Sequence, residues 1–439
     1  MVFEPGHFRG RYRLAAGFLL ALISFLVVPI AWAASASIVS GFSQQHRVGF
    51  SVGDQWEPAI AADGFGHVYI LYPQYGHIPR CPSCPSPSMI LLVSENNGVK
   101  WQSPREIAPP ESGEFDAQIV VDPADQKTVY AAWLQNDKRD TVVAKSADFG
   151  QSWSMVIAAH ESGESDKPVL AVRGQDIYVG FSRSRKIWVA SSHDGGISFT
   201  STNVSPGSRF SEALAGGATV TPQGHIFVSW TGYPQNDGLN GRANLYVTES
   251  SDGGSTWKST LMDFSGAPPE CSSFHCEDGY LGAQIAIASD AAGTLYALWN
   301  SGQSDKGPER IYFSTLVNGA TSWTTKFDVS DAPDGVEHAF PALAAGGDGD
   351  VRIAWMDLRN GPDWNTFYRS SPNGGATWRP QEQITNYLKG YSYIHANGFS
   401  FPFGDYFQIA IDSERLTQAV WGEGQNYKSP GTIWHSIGR

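Results

Sequence analysis

One eight-residue pattern recurs along the chain and strongly limits what it can fold into. Its clearest copy is Ser250-Ser-Asp-Gly-Gly-Ser-Thr-Trp257. The aspartate can accept hydrogen bonds from backbone N–H groups, and the two glycines allow the positive φ angles of a tight hairpin turn. The closing tryptophan begins the next strand as a large apolar anchor. Exact or degenerate copies occupy residues 94–101, 146–153, 192–199, 250–257, 316–323 and 371–378.

The same strand pattern precedes each of these turns. It consists of a short apolar strand, a turn near Asp-x-x-Gly, and an alternating strand that ends in an aromatic residue. The first copy ends at Tyr72, and the later copies end at Trp133, Phe181, Trp230, Trp299, Trp355 and Trp421. A third strand leads into the turn and a fourth follows it, so each unit has four antiparallel strands. The sequence therefore predicts an all-β, seven-bladed β-propeller, with six blades as the alternative.

The two ends of the chain predict how the ring closes. The seventh unit stops at residues 432–439, where its turn and fourth strand should begin, whereas residues 37–52 precede the first unit. We expect this N-terminal segment to supply the missing outer strand, so that both termini share one blade and no strand edge stays open. Residues 37–439 are thus predicted to form a single propeller domain.

The repeated turn resembles the Asp-box, or BNR repeat, of the sialidase superfamily, and the segments 403–412 and 421–423 are similar to those of bacterial secreted proteins of this type. The resemblance implies a glycan or glycoconjugate ligand and glycoside hydrolysis from a central funnel. Sialidases have six blades, three arginines that clamp the substrate carboxylate, a nucleophilic tyrosine with a glutamate partner, and an acid/base aspartate. The Phe/Tyr-Arg-Ile-Pro motif of the first arginine is absent here. The alternative function is a non-catalytic platform that binds glycan or protein in the cell envelope.

Propeller geometry separates the Asp-box turns from the loops that can hold a site. The turns lie opposite the loops that join strands two and three and the loops that join successive blades, so we interpret the turns as structural. The longest inter-blade loop, residues 386–406, is rich in aromatic side chains. Long loops in compact domains are often functional. This loop suits either stacking on sugar rings or covering the channel as a lid.

Acidic residues recur near the starts of the inner strands. They are Asp54, Glu57, Asp116, Asp166, Glu212, Asp278, Glu337 and Asp405. Carboxylates paired at the rim can act as acid and base or nucleophile on a glycosidic bond, can bind Ca²⁺, or can simply cap the strands. No specific metal motif is present, so no cofactor is expected.

The strand pattern and the resemblance together predict individual catalytic and substrate-binding residues. Asp357 and Arg359 come directly after a strand with the same side-chain parity, so both can reach the pocket. The predicted catalytic residues are Asp357, Arg359, Asp405, Tyr406 and Glu423. The predicted substrate-binding residues are Arg242, Arg310, His338, Trp364, Tyr391 and Tyr393.

The N-terminal segment predicts where the protein is located. Three arginines precede an apolar run from Leu14 to Ile30 and an alanine-rich segment, which predicts a signal peptide over residues 1–36 and a secreted or periplasmic protein. An uncleaved membrane anchor is the alternative.

The net charge of −13 disfavours nucleic acid and anionic membrane as partners. We expect a monomer. No G-x-S-x-G, H-E-x-x-H or Walker A motif is present.

Four cysteines form two local pairs, Cys81 with Cys84 and Cys271 with Cys276. In an exported protein they predict two disulfides that staple surface loops, although pairing between the two clusters is also open. A metal site that includes His275 is the other interpretation, but the spacings match no common zinc pattern.

Overall fold

The structure is a computed structural model that describes residues 41–76, 78–107, 112–160, 162–205, 207, 210–234, 236–270, 279–361, 364–385, 403–423 and 431–438. These residues form seven antiparallel sheets and one short 3₁₀ helix, Gly238–Asn240. The innermost strand of each sheet packs against that of the next, and the seventh returns to the first, so the sheets close into a ring. The predicted seven-bladed propeller is confirmed, and the six-bladed alternative is wrong.

Six blades have the predicted four strands, and blade one has five because two short strands pair with its second strand. Blade one contains β2 (Asp54–Gln55), β3 (Ala59–Ala62), β4 (Val68–Tyr75), β5 (Ser88–Ser94) and β6 (Arg105–Glu106). Blade two contains β7 (Phe115–Val121), β8 (Val129–Gln135), β9 (Asp140–Ser146) and β10 (Ser154–His160). Blade three contains β11 (Ser165–Arg173), β12 (Asp176–Arg183), β13 (Lys186–Ser192) and β14 (Thr200–Asn203). Blade four contains β15 (Glu212–Val220), β16 (Ile226–Tyr233), β17 (Ala243–Ser250) and β18 (Lys258–Ser265).

The remaining blades repeat this order. Blade five contains β19 (Ile285–Ser289), β20 (Leu295–Gly302), β21 (Glu309–Leu316) and β22 (Phe327–Asp328). Blade six contains β23 (His338–Ala345), β24 (Val351–Asp357), β25 (Asn365–Ser371) and β26 (Glu382–Gln383). Blade seven contains β27 (Gln408–Ile411), β28 (Thr417–Glu423), β29 (Thr432–Gly438) and β1 (His46–Arg47).

Blade seven joins the two ends of the described chain. Strand β1 pairs antiparallel with β29, with His46 opposite His435. Phe42 forms a further bridge with Gly438, and the Ser436 hydroxyl donates to the Ser43 carbonyl at 2.8 Å. The N-terminal strand therefore closes the last blade, as predicted, and the outer edge of β29 is covered.

The core lies between neighbouring blades and is anchored by one aromatic residue per blade. The aromatic residues that lie two or three positions before the end of each second strand are fully buried: Tyr72, Trp133, Phe181, Trp230, Trp299, Trp355 and Trp421. Replacing one such tryptophan by alanine typically costs about 3–5 kcal/mol. The aromatic residues that mark the repeat in the sequence thus hold the blades together.

The Asp-box turns have the hydrogen bonds that their sequence suggests. In the turn between β17 and β18, the Ser250 hydroxyl donates to Asp252 Oδ1 at 2.8 Å, and the Thr256 N–H donates to the same oxygen at 2.9 Å. Gly254 has φ +87° and its N–H donates to the Ser250 hydroxyl. Gly195 and Gly374 of two other turns donate to the turns that end the inner strands. The Asp-box turns therefore lie at the end of the propeller where the inner strands finish.

Cys81 and Cys84 form a disulfide with a Cα–Cα distance of 5.4 Å. The predicted pairing is confirmed for this pair, whereas Cys271 and Cys276 lie outside the described residues. Residues 1–36 also lie outside them. In the part of the chain that the structure describes, no helix has the length and apolarity needed to cross a membrane.

Candidate functional site

The seven inner strands enclose a cavity of about 720 Å³ on the propeller axis. At the end where the inner strands start, its lining includes Asp116, Lys167 and Tyr406. At the end where they finish, it includes Asp63, Asp122, Asp290 and Asp412. We call the first end, with the adjoining Glu57 and Asp405, the channel mouth.

Blades seven, one, two and three bring charged side chains together at the channel mouth. Glu57 Oε1 accepts a hydrogen bond from the Asp405 backbone N–H at 3.2 Å. Lys167 Nζ forms an ion pair with Asp405 Oδ2 and lies 4.9 Å from the ring centre of Tyr406. Glu57 is 4 % exposed, and Asp116 and Asp405 are each 8 % exposed. The cluster is therefore largely shielded from solvent.

A recurring backbone feature places these side chains at the mouth. Glu57, Asp116 and Lys167 have φ angles of +52°, +57° and +51°. In β7 and β11 the strand pairing shifts register at this point, as it does in β23, where Phe340 has φ +57°. Such a bulge redirects one side chain of a strand. The bulge thus recurs in several blades. Holding its residue at a positive φ, which directs the side chain to the mouth, costs roughly 1–3 kcal/mol of backbone strain.

Burial and neighbouring charges shift the protonation of the cluster. Burial, followed by the charge of Asp166, raises the pKa of Asp116 to about 7. Burial, followed by the charge of Asp405, raises the pKa of Glu57 well above its usual range. Burial alone would lower the pKa of Lys167, but the carboxylates of Asp405 and Glu57 raise it. Asp116 is thus protonated in part near neutral pH, beside a charged lysine.

Three polar groups of the mouth lack partners among the described residues. Asp116 Oδ2, Asp405 Oδ1 and the Tyr406 hydroxyl are buried and make no hydrogen bond there. Burial also raises the pKa of Tyr406, and the charges of Glu57 and Asp116 add to this effect. A buried polar group without a partner costs about 1–3 kcal/mol. Groups of this kind, gathered at a channel, are typical of binding and catalytic sites.

The predicted residues Asp357, Arg359 and His338 meet inside blade six. Asp357 is fully buried, accepts a hydrogen bond from the Trp355 indole at 2.9 Å, and forms an ion pair with Arg359. His338 Nε2 lies 3.7 Å from Asp357 Oδ2. The Arg359 guanidinium lies 4.0 Å from the ring centre of Phe367. Asp357 and Arg359 therefore contact each other, and no contact among the described residues joins them to Asp405 or Tyr406.

The two other predicted arginines are engaged elsewhere. Arg242 forms an ion pair with Asp305, and Arg310 forms one with Asp328. Arg310 also donates to the carbonyls of Ala332 and Pro333 at 2.8 and 2.7 Å. Together with the Arg359–Asp357 pair, these contacts give each of the three arginines its own carboxylate partner.

The remaining predicted residues are Glu423, Trp364, Tyr391 and Tyr393. Glu423 Oε2 accepts a hydrogen bond from the Trp421 indole at 2.7 Å, and burial raises its pKa to about 8. No contact among the described residues joins Glu423 to Tyr406. Trp364 is fully buried, with its ring centre 5.8 Å from that of Phe340. Tyr391 and Tyr393 lie outside the described residues.

Asp405 and Tyr406 were predicted from the sequence as site residues, but the three residues that surround them were not. Glu57 and Asp116 were predicted only as acids near strand starts, and Lys167 was not predicted. Repeat length gives no signal for them. The second copy of the strand pattern is two residues longer than most others and the third is one residue shorter, but these differences lie in the turns that follow β7 and β11, whereas the two strands shift register near their starts.

Comparison with solved structures shows the fold at low sequence identity. A protein of unknown function from Dyadobacter fermentans has a TM-score of 0.51 at 12 % identity, over 90 % of this chain and 98 % of that one. A polysaccharide lyase of family PL25, an ulvan lyase bound to -[GlcA(1-4)Rha3S]-, has a TM-score of 0.53 at 12 % identity, over 89 % and 95 %. A Hadza microbial sialidase has a TM-score of 0.46 at 11 % identity, over 88 % and 66 %.

The sequence itself places the chain in a family. No curated protein matches it significantly. The family described as BNR repeat-like domain, however, matches residues 31–281, which is more than half of the chain. This match confirms what the Asp-box turns suggested: the chain belongs to the BNR repeat-like family.

Proposed function

We propose that this protein is an exported carbohydrate-active enzyme that hydrolyses a glycosidic bond at the channel mouth. The observation that carries the proposal is Asp116, a channel-lining carboxyl that is buried, held at a positive φ, and without a described partner for Oδ2. Asp405, a second carboxyl group, belongs to the same cluster. The ulvan lyase of similar fold is bound to a glycan, so glycans are the first ligands to test.

In this mechanism Asp116 is the general acid. With a pKa of about 7 it retains a proton near neutral pH, which it donates to the glycosidic oxygen as the bond from that oxygen to the anomeric carbon breaks. A water molecule then forms the new bond to the anomeric carbon, and its proton passes to the Asp405 carboxylate.

The neighbouring residues position these two acids. Lys167 forms an ion pair with Asp405, which holds the side chain of the general base in place. Glu57 accepts a hydrogen bond from the Asp405 backbone N–H and so fixes the chain beside the base. The Tyr406 hydroxyl, with its raised pKa, stays a phenol and donates a hydrogen bond to a sugar oxygen. No cofactor enters these steps.

The test is turnover by the full-length protein on a panel of chromogenic glycosides that includes a sialoside. We expect Asp116→Asn to lower kcat about 10²- to 10⁴-fold on the hydrolysed substrate, because the general acid is lost. Asp405→Asn should have a similar effect. Asp252→Asn, a matched change in an exposed Asp-box turn, should leave turnover unchanged. If Asp357→Asn abolishes turnover and Asp116→Asn does not, the reaction belongs to the Asp357–Arg359 pair in blade six.

A non-catalytic binding platform is the second candidate. The observation that favours it is the engagement of Arg242, Arg310 and Arg359, each with its own carboxylate, because a sialidase needs three arginines directed at one substrate group. Absence of turnover on every glycoside in the panel would favour the platform over the hydrolase.

A further inference from the structure

The backbone of Asp405 is bound on both sides by side chains from other blades. Its N–H donates to Glu57 Oε1 of blade one at 3.2 Å. Its carbonyl accepts a hydrogen bond from Gln284 Nε2 of blade five at 2.8 Å. Asp405 itself precedes β27 of blade seven, so the two contacts join three blades at the channel mouth. The ion pair with Lys167 adds blade three.

Glu57 and Gln284 occupy the same position in their blades. Glu57 lies fifteen residues before Tyr72, and Gln284 lies fifteen residues before Trp299. Each comes just before the inner strand of its blade, and Gln284 lines the channel. Towards Asp405 the first side chain acts as an acceptor and the second as a donor. The blade repeat thus places an acceptor and a donor on either side of one residue.

The backbone of Gln284 is fixed by Asn300. The Gln284 N–H donates to Asn300 Oδ1 at 2.9 Å, and the Asn300 N–H donates to the Gln284 carbonyl at 3.2 Å. Asn300 is fully buried, and its Nδ2 donates to Glu309 Oε2 and to the Gly282 carbonyl. Blade six lies between blades five and seven in the ring. The Gln284 side chain therefore reaches past blade six from a fixed backbone.

The residue before Asp405 fits this close packing. Gly404 has φ +66°, and a Cβ atom there would lie 2.3 Å from Glu57 Cγ. A residue with a side chain would be strained at this φ and would overlap Glu57. The chain at residues 404–406 is thus packed against blade one and hydrogen-bonded to blade five, while the Asp405 carboxylate is paired with Lys167.

On the basis of the function proposed above, we propose that Gln284 is a positioning residue for the reaction, because its hydrogen bond to the Asp405 carbonyl holds the general base at the channel mouth. Without this donor, the Asp405 backbone keeps its contact with Glu57 on the N–H side and loses the one on the carbonyl side. A catalytic group displaced by about 1 Å can lower turnover about 10²-fold. Gln284 acts through Asp405 and takes no part in proton transfer.

The first test measures kcat and KM of the full-length protein on the glycoside that it hydrolyses. Gln284→Leu removes the donor and keeps a similar volume, so we expect kcat to fall about 10- to 100-fold and KM to change less than about twofold. The control is Gln118→Leu, a matched change at a channel-lining residue that bonds to Gln408, and it should leave kcat unchanged.

Gln284→Glu separates the donor from the shape of the side chain. The glutamate is nearly isosteric with glutamine, but its carboxylate cannot donate to the Asp405 carbonyl, whereas its protonated form can. The ratio of its kcat to that of the unsubstituted protein should therefore be low at about pH 7 and rise as the pH falls towards about 5. A ratio that does not change with pH would contradict the role of the hydrogen bond.

Hydrogen exchange tests the same contact without a substrate. Exchange in the peptide 403–407, followed by mass spectrometry, should be about tenfold faster in Gln284→Leu than in the unsubstituted protein, because this segment has lost one of its anchors. It should be unchanged in Gln118→Leu. Unchanged exchange in Gln284→Leu, or faster exchange without a loss of kcat in a protein that turns over a glycoside, would overturn the proposal.

The outcome for Gln284 is separate from the outcome for hydrolysis. If no glycoside is turned over, the hydrolase proposal fails, and the exchange measurement still decides whether Gln284 holds Asp405 in place in a binding protein. If turnover depends on Asp116 and Asp405 but not on Gln284, the hydrolase proposal holds and the positioning role fails.

Discussion

Acidic residues at the two ends of the propeller lie in opposite environments. In the Asp-box turns, Asp252 is exposed and Asp148 is half-buried. Both accept hydrogen bonds from hydroxyl and backbone N–H groups, which lower the pKa of each to about 2. At the channel mouth, burial raises the pKa of Asp116 to about 7. The same residue type is therefore held ionised at one end and held partly protonated at the other.

Burial alone does not account for this difference. Asp290 and Asp412 are buried at the end where the inner strands finish. Asp290 nevertheless accepts hydrogen bonds from the N–H groups of Ala292 and Thr294 and from the Tyr296 hydroxyl, at 2.7 to 3.0 Å. Asp116 differs because no donor among the described residues reaches its Oδ2. The acid of the candidate site therefore differs from the buried structural acids in its unsatisfied carboxyl oxygen more than in its burial.

The largest effect on stability is expected from Lys167. Replacing Lys167 by methionine leaves Asp405 and Glu57 buried without their cation, and breaking a buried pair in this way costs about 3–5 kcal/mol. The free energy of unfolding from urea titration at pH 7 measures the loss. The control is Lys306→Met, which breaks the exposed pair with Glu270 and should cause no measurable change. Similar small losses in both variants would show that the mouth is well solvated and would remove the contrast between the two ends.

The acids at the two ends should also change the free energy of unfolding with pH in opposite directions. Asp116 and Glu423 have pKa values of about 7 and 8 in the folded protein, against about 4 when unfolded. The folded state thus binds more protons between these values, and the free energy of unfolding should fall as the pH rises from about 4 to about 8. Asp148 and Asp252, at about 2, stabilise the fold above about pH 4, and this stabilisation should be lost as the pH falls towards 2.

Urea unfolding at a series of pH values from 3 to 9 tests this response. Glu423→Gln should flatten the decline on the alkaline side, and Asp252→Asn should flatten the decline on the acid side. A free energy of unfolding that stays constant between pH 5 and pH 8 would mean that the acids near the mouth are not held protonated.

The fold was predictable from the sequence because every blade repeats the same turn and the same buried aromatic residue. The site was predictable only in part. Glu57 and Asp405 are 348 residues apart and meet only because the ring closes. The bulges that direct Asp116 and Lys167 to the axis leave no mark in the repeat length. Asp357 and Arg359 share the same side-chain parity in the sequence. Parity could not show that they would pair with each other.

The smallest expected effect concerns the charge of the Asp-box aspartates. The prediction tests whether this charge strengthens the hydrogen bonds within the turn. In the turn at 371–378 the aspartate is replaced by Asn373, whose Oδ1 accepts from the Thr377 N–H at 2.9 Å and whose Nδ2 donates to the Thr377 hydroxyl at 3.0 Å. The hydroxyl of Thr256 lies closer, 2.6 Å from Asp252 Oδ2. Asn373→Asp should make this a charge-assisted bond and raise Tm by about 1 °C at pH 7.

The sign of that change can be checked in two ways. Asp252→Asn should lower Tm by a similar amount, because it makes the reverse exchange in an equivalent turn. Below the pKa of the new carboxyl the charge is gone, so the gain from Asn373→Asp should disappear near pH 2. A gain that persists there would mean that shape, rather than charge, accounts for the preference for aspartate in these turns. The acids at the two ends would then differ in burial and not in how their charge is stabilised.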